Sequence, residues 1–334
     1  MSQNRKPTFS LYTSLYATSA ARTRKAVGKP FRKLSDREVI SKAFDARPDL
    51  CRSADAMVMA HDVFWLRKGR HTVYLNDDDV VRRLMSARFD VSAGPGSGLS
   101  FPFESFRIAL PKGTRTPTGQ ELPGIQVTWL DYEAFVPEVV ESFFGHIDLG
   151  FMPTISNIDH APGERALVVN MLLDATNLES MHTVILEHQL PLLLAATDFQ
   201  EFQTQLGDFS DAALSFASLT EMEQEKQFAA IRLVCALGVF NAATEDEFLA
   251  PGFPGGQPPR TVGGSLGPRM SHHVLTMPPL ERGSVGTHYR AAHFHQLRHD
   301  RYYQGEYAAW PRGSRWAFVK DTWVNTDHQG AEES

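Results

Sequence analysis

The stretch "FAAIRLVCALGVF", residues 228–240, decides how the rest of the chain must be arranged. Its apolar residues follow helical spacing, and in the second half they cover nearly the whole circumference of the helix. A surface helix shows a single apolar stripe, so this pattern predicts a central helix that is buried on all sides. We expect it to end a long helical segment that runs from about residue 210 to residue 243. The run is too short for a membrane span, which takes about 20 apolar residues.

The sequence before this helix predicts the layers that cover it. Ser35 and Glu38 have the spacing of a capping box at the start of an N-terminal helix. Further helical patterns occupy 53–69 and 76–89, and the strand candidates are 101–113, 124–135 and 165–174. We therefore predict an α+β fold with a helical N-terminal part, a central β-containing core and the long buried helix. A basic, β-hairpin-like C-terminal tail follows a Gly/Pro-rich linker.

Charge is segregated along the chain. The net charge is −6, but residues 1–34 carry eight Lys and Arg and no acids, and residues 282–320 have a net charge of +5. In the stretch 251–268, eleven of eighteen residues are Gly or Pro, which is typical of a linker or a long loop. The predicted division is a basic N-terminal arm at 1–34, an α+β body at 35–250, a linker at 251–283 and a basic aromatic segment at 284–326. An overall negative charge argues against a chain that binds nucleic acid over its whole surface.

The most chemically loaded stretch is "HYRAAHFHQLRHDRYY", residues 288–303, with four histidines, three arginines and four aromatic rings. Guanidinium groups match phosphate in shape and charge, and flat rings stack on bases. We predict a surface for RNA or an acidic partner, in which the two closely spaced histidines donate hydrogen bonds or hold the strand. The candidate residues are Arg290, His293, Phe294, His295, Arg298, Arg301, Tyr302, Tyr303, Arg315, Trp316 and Lys320.

Three other interpretations of this segment remain open. It could be an amphipathic hairpin without a ligand, in which "SRWAFVKDTWVN" (314–325) is the return strand. It could hold a metal through His293, His295 and His299 with a distant carboxylate such as Asp159, as in a metal-dependent hydrolase or nuclease. It could also be a strand for oligomerisation. Asp159 beside His160 could be an acid that orients a base, although no nucleophile accompanies them.

Sequence motifs and the cysteine count bear on cofactors and on the cellular compartment. None of the fingerprints for dinucleotide, phosphate-loop, nucleophile-elbow or zinc-protease sites occurs, so we expect no cofactor. The two cysteines, Cys51 and Cys235, do not make a disulfide framework, which favours a reducing cytoplasm.

The segment "YRAAHFHQ…RWAFVKDTWVN" resembles the C-terminal signature of a family of phage- and plasmid-encoded proteins that includes a type V-A anti-CRISPR protein. The residues that carry the resemblance are Arg290, His293, Phe294, His295, Trp316, Val324 and Asn325. Ala291 and Ala292 stand where the family tends to have Arg-Gly. The resemblance implies a non-enzymatic accessory or inhibitor protein of a mobile genetic element in the bacterial host cytoplasm. Such a protein would bind RNA or a nascent, ribosome-associated polypeptide and thereby reduce expression of a target.

Overall fold

The structure, a computed structural model, describes residues 7–91, 98–147, 160–174, 177–206, 220–267, 269–279 and 287–325. The helices are α1 Leu15–Val27, α2 Asp36–Ala46, α3 Ala54–Arg67, α4 Asp78–Met85, α5 Tyr132–Ala134, α6 Ser142–Ile147, α7 Leu190–Ala195, α8 Phe199–Leu206 and α9 Glu221–Thr244. A π-helical stretch, Phe135–Glu141, joins α5 to α6.

The strands begin with β1 Thr8–Leu11, β2 His71–Leu75, β3 Arg88–Asp90, β4 Ser105–Pro111, β5 Ile125–Asp131, β6 Arg165–Asp174 and β7 Glu179–Leu186. They continue with β8 Leu249–Pro251, β9 Arg260–Gly263, β10 Ser271–Leu275, β11 Thr287–Arg290, β12 His293–Leu297, β13 Arg315–Val319 and β14 Thr322–Asn325. The predicted α+β fold with a long buried helix is confirmed.

The core of the molecule is a mixed nine-stranded sheet. Seven strands follow the order β7-β6-β5-β4-β2-β10-β8, and β1 pairs with β4 and with β9 beside them. Strand β2 runs parallel to β4 and β10, whereas β4 to β7 form an antiparallel meander. The meander contains the three strand candidates seen in the sequence.

Local signals start the helices as the sequence indicates. The Ser35 hydroxyl accepts from the Glu38 backbone N–H, and the Glu38 carboxylate accepts from the Ser35 N–H, which completes the capping box of α2. The same reciprocal pair, Thr220 and Glu223, starts α9. Residues 207–219, where the sequence suggests that the long helix begins, lie outside the described residues.

One face of the sheet packs on α9 and is apolar. Strand β5 contributes Ile125, Val127 and Trp129 to this face, and α9 meets them with a second half in which Ile231, Leu233 and Val234 are fully buried. By length and composition α9 alone among the described helices could cross a membrane, but 78% of its most apolar window is buried within the fold. Its apolar surface is therefore already covered by the protein itself.

The opposite face of the sheet carries a row of buried polar side chains beneath α3. Arg107, Gln126, Asn170 and His182 are direct cross-strand neighbours on β4, β5, β6 and β7. Because side chains alternate along each strand, this row and the apolar face come from the same four strands. The row, together with the α3 residues above it, is called the polar layer below.

The N-terminal segment differs from the predicted arm. Strand β1 is part of the sheet, and α1 packs into the core through Leu15 and Tyr16. The close approach of β1 explains Gly124, where an added Cβ would lie 2.1 Å from the Tyr12 backbone nitrogen. Residues 1–6 lie outside the described part of the chain.

The predicted linker at 251–283 differs as well. It contains β9, which pairs with β1, and β10, which lies between β2 and β8 within the sheet. Gly and Pro are frequent here because the chain crosses tightly between short strands, as at Gly264, where a Cβ would lie 2.3 Å from the Tyr12 carbonyl oxygen. Composition alone could not distinguish these strands from a loop.

The C-terminal segment folds as an interrupted antiparallel pair that is docked on the body. Strand β12 pairs with β13, and β11 pairs with β14. The other edge of β12 pairs in parallel with β3, which belongs to the body. Asp321, between β13 and β14, forms a fully buried ion pair with Arg83 of α4, with 2.8 Å between Nε and Oδ2. The segment is thus anchored to the body and is not a separate appendage.

Candidate binding surface of the C-terminal segment

Alternation along β12 divides the predicted site residues between two faces. Phe294 points inward, is fully buried, and packs on Phe89, Phe240 and Phe318. Trp316 on β13 also belongs to the central core and is 5% exposed. The prediction that these two rings stack on a ligand is therefore wrong, because the same aromatic character that suits base stacking also suits a core beside α9.

The two histidines of β12 lie together on the outward face, with ring centroids 4.8 Å apart. Nδ1 of His295 lies 2.8 Å from the Asp90 carboxylate on β3, so this ring helps to hold the parallel strand pair. Burial lowers the pKa of His293, and the nearby charges of His295 and Arg290 act in the same direction. Of the two imidazoles, the His295 ring therefore has a role in strand pairing.

The metal-site interpretation gains no support from the geometry. His299 lies in the loop after β12, where its Nδ1 accepts from the Arg301 backbone N–H. Among the residues that the structure describes, no group of three or more His, Cys, Asp or Glu side chains is placed to hold a metal ion. Asp159, the distant carboxylate of that hypothesis, lies outside the described residues, while Nδ1 of His160 lies 3.1 Å from the Ala161 carbonyl oxygen.

The loop between β12 and β13 is organised by a tyrosine. The Tyr303 hydroxyl donates to the Leu297 carbonyl at 2.5 Å and accepts from the Gly313 N–H at 2.7 Å. It also lies 3.3 Å from the Arg315 backbone nitrogen. Its polar atom is therefore used to close the loop, and its role as a stacking ring stays a prediction.

The arginines of this loop are stacked on tyrosines. Arg315 lies 3.4 Å above the ring of Tyr307 and donates to the Tyr302 carbonyl, while Arg301 lies 4.6 Å above the ring of Tyr302. Arg298 donates to the Gln296 side-chain oxygen at 2.6 Å. Such contacts fix the guanidinium planes while leaving part of each group accessible. Of the predicted basic residues, Arg290, Arg301 and Lys320 are the most exposed.

A groove of about 570 Å³ lies where this loop meets the end of α9. One wall carries Trp310, which is 50% exposed and packs edge-on against Tyr307 with ring centroids 5.5 Å apart. A second wall, the acidic wall, contains Glu187, Glu245 and Asp246, and Arg315 also lines the groove. Hydrogen bonding to Glu306, together with the negative charges of Glu245 and Glu306, raises the pKa of Tyr307.

The helix adds to the negative potential of the groove. Helix α9 ends beside it, with Glu245 in a left-handed conformation at φ 48°. The unsatisfied carbonyls at a helix C-terminus carry a partial negative charge, which favours cations there. The acidic wall was not predicted from the sequence. The available signal was the run of acids at 245–247 directly after the buried helix.

Comparison of the chain with protein-family models, curated proteins and solved structures finds no match.

Proposed function

We propose that this protein is a non-enzymatic accessory or inhibitor protein of a mobile genetic element, similar in action to an anti-CRISPR protein, that works in the bacterial cytoplasm. It binds a polypeptide segment, such as a nascent chain on the ribosome, in the groove between α9 and the C-terminal loop. Binding of the nascent target then reduces expression of that target.

The observation that supports a polypeptide is the combination of an exposed aromatic ring with carboxylates. Trp310 offers an exposed ring, and Glu245 and Asp246 line the same groove at the negative end of a helix. A Lys or Arg side chain of a partner gains from both features, by cation–π contact and by charge attraction. Phosphate groups are repelled by the same carboxylates, and Arg315, the cation that lines the groove, is already held by the Tyr307 ring and the Tyr302 carbonyl. This disfavours RNA as the occupant of the groove.

A photo-crosslinking experiment tests the proposal. Trp310 is replaced by p-benzoylphenylalanine, the protein is irradiated in growing bacteria, and nascent chains are labelled with puromycin. We expect crosslinked puromycin-labelled polypeptide, severalfold reduced by Asp246→Lys, because that substitution reverses a charge of the acidic wall. Glu141→Lys makes the same charge change at an exposed position of the π-helical stretch and should leave the crosslinks unchanged.

The other hypotheses correspond to different outcomes. If RNA is crosslinked in place of polypeptide, and the Arg301→Ala/Lys320→Ala double variant loses this crosslink, the ligand is RNA and not a polypeptide. Crosslinks to a second copy of the chain would favour an oligomerisation role. If neither polypeptide nor RNA is captured, the binding proposal fails. The inhibitory part is tested separately, by immunoblot of a type V-A nuclease produced in cells with and without this protein.

A further inference from the structure

A second cavity, of about 530 Å³, is lined by the Glu221–Leu233 part of α9, whereas the groove lies at the C-terminal end of that helix. It is enclosed by the C-terminal end of α4, the connection between β4 and β5, the start of α8 and the first half of α9. Its apolar lining includes Met85, Phe199, Phe228 and Leu233. Binding sites for small molecules are commonly concave, mostly apolar and of this size, with a few polar groups that orient the ligand.

The polar group that distinguishes this cavity is the guanidinium of Arg232. It projects from α9, donates to the Ala196 carbonyl, and lies 5.7 Å from the ring centroid of Phe89. Within the part of the chain that the structure describes, Arg232 makes no ion pair with a carboxylate. Burial lowers the pKa of Arg232. The charge of Glu201 opposes this shift but forms no ion pair with Arg232. A partly buried cation whose direct contacts are a carbonyl and a ring gains from a paired anion.

The charges around the opening restrict which anion fits. Asp198, Glu221 and Glu225 also line the cavity, as does the exposed Arg88, so the charges beside Arg232 remain net negative. A phosphate with two charges is repelled by these carboxylates, whereas a single negative charge can be neutralised by Arg232 alone. The apolar lining requires that the rest of the ligand be a hydrocarbon chain or an aromatic body.

We propose that this cavity binds an organic monoanion with an apolar body, whose carboxylate pairs with Arg232 and whose body packs on Phe199 and Phe228. The site is independent of the C-terminal groove. It gives the protein a small-molecule ligand in addition to a macromolecular partner.

The proposal is tested on the full-length protein by titration calorimetry with decanoate, 1-decanol and decyl phosphate. Decanoate should bind about tenfold more tightly than 1-decanol, the factor expected from one charge-assisted hydrogen bond. Decyl phosphate should bind more weakly than decanoate because of the acidic opening. The variant Arg232→Met should lose this preference for decanoate, while Arg88→Met, which removes an exposed cation of the same cavity, should keep it.

Several results would overturn the proposal. Equal affinity of the wild type for decanoate and 1-decanol would do so. The proposal would also fail if Arg232→Met kept the preference for decanoate, or if Arg88→Met lost that preference to the same extent as Arg232→Met. If Arg232→Met does not fold, Ser86→Trp places a ring at an exposed position of the cavity lining and should abolish binding of both compounds. Undiminished decanoate binding by Ser86→Trp would locate the ligand elsewhere and refute the assignment.

Discussion

The N-terminal and C-terminal segments are both basic, and both are anchored to the body by a buried Asp–Arg pair, but the surroundings of the two pairs differ. At the N-terminus, Asp62 of α3 accepts from the Ser14 hydroxyl at 2.9 Å and from the Tyr16 backbone N–H at 3.0 Å. The same carboxylate pairs with Arg107 of the polar layer. At the C-terminus, Asp321 pairs with Arg83, and the Arg83 guanidinium also donates to the Pro278 carbonyl at 2.7 Å.

The difference lies in what each anchor shares with the rest of the molecule. Asp62 joins the N-terminal segment to a network of buried groups, in which Arg107 lies 3.6 Å from the Trp65 ring and 4.7 Å from the Tyr12 ring. Burial raises the pKa of the Asp62 carboxyl, while Arg107 and the two N-terminal donors oppose that shift. The Arg83–Asp321 pair joins α4 to the C-terminal segment and, among the described residues, does not belong to a comparable network of buried polar groups. The N-terminal anchor should therefore be the more costly to break and the more sensitive to pH.

The largest effect is expected for Asp62→Ala. This substitution leaves the buried Arg107 without its carboxylate and removes the acceptor of Ser14 and Tyr16. Breaking a buried ion pair by removing one partner typically costs about 3–5 kcal/mol, and we expect the upper end of that range. Urea unfolding measures the change. Asp55→Ala, on the exposed first turn of the same helix, is the control, and equal stability of the two variants would contradict the network.

A smaller loss is expected for Asp321→Ala, about 3 kcal/mol in the free energy of unfolding. Arg83 keeps the Pro278 carbonyl and lies 3.8 Å from Asp79, so part of its charge remains compensated. The chain offers a matched control, since Arg47 and Asp49 form a bidentate pair that is exposed.

Asp49→Ala should leave stability near that of the wild type, because exposed ion pairs contribute little. A loss in Asp321→Ala no greater than in Asp49→Ala would mean that the C-terminal segment is held by strand pairing alone. A loss greater than in Asp62→Ala would reverse the ranking of the two anchors.

The smallest effect expected is a pH dependence that originates in the polar layer. Burial lowers the pKa of His182 to about 4, and its Nδ1 lies 2.7 Å from the Asn170 side-chain oxygen. Burial also lowers the pKa of His61, which faces His182 at 5.5 Å between ring centroids. An unfolded histidine has a pKa of about 6.5, so between pH 6.5 and 4 the unfolded chain binds a proton that the folded chain does not.

The contribution of these histidines to the free energy of unfolding should therefore be at its maximum above pH 6.5 and should fall as the pH decreases towards 4. The contribution of His182 to this fall has an upper bound of about 3 kcal/mol. We expect a smaller value, because part of its ring is exposed to solvent. His182→Phe should flatten the profile measured by urea unfolding at a series of pH values, and His299→Gln, at an exposed position, should not. Asp321→Ala should retain the wild-type slope. An identical pH profile for His182→Phe and the wild type would exclude His182 as the source.

Local signals explain which parts of the fold were predictable. The capping box at Ser35, the first three meander strands (β4 to β6) and the buried helix are encoded in short-range spacing, and each was predicted from the sequence. Strands β9 and β10 were missed because four or five residues among many Gly and Pro carry no periodicity of their own. They are strands because neighbouring edges in the sheet accept their hydrogen bonds.

For the candidate site, the sequence predicted a binding role for the segment but not the direction of each side chain. Phe294 and Tyr303 were both predicted as ligand-binding rings, yet one is fully buried beside α9 and the other closes a loop. Aromatic rings are equally suited to a core and to a surface, and only the direction of the side chain separates these uses. The acidic wall came from Glu187 and Asp246, which lie far apart in the sequence and meet only in the folded protein.

The sequence by itself determined the α+β class, the central position of α9 and the concentration of basic and aromatic residues near the C-terminus. These properties follow from periodicity and composition, which act over a few turns of chain. Only the tertiary structure decided that both basic ends belong to the body and that two cavities flank α9. Those features depend on contacts between residues such as Arg83 and Asp321, which are 238 positions apart, and no local pattern encodes such a pairing.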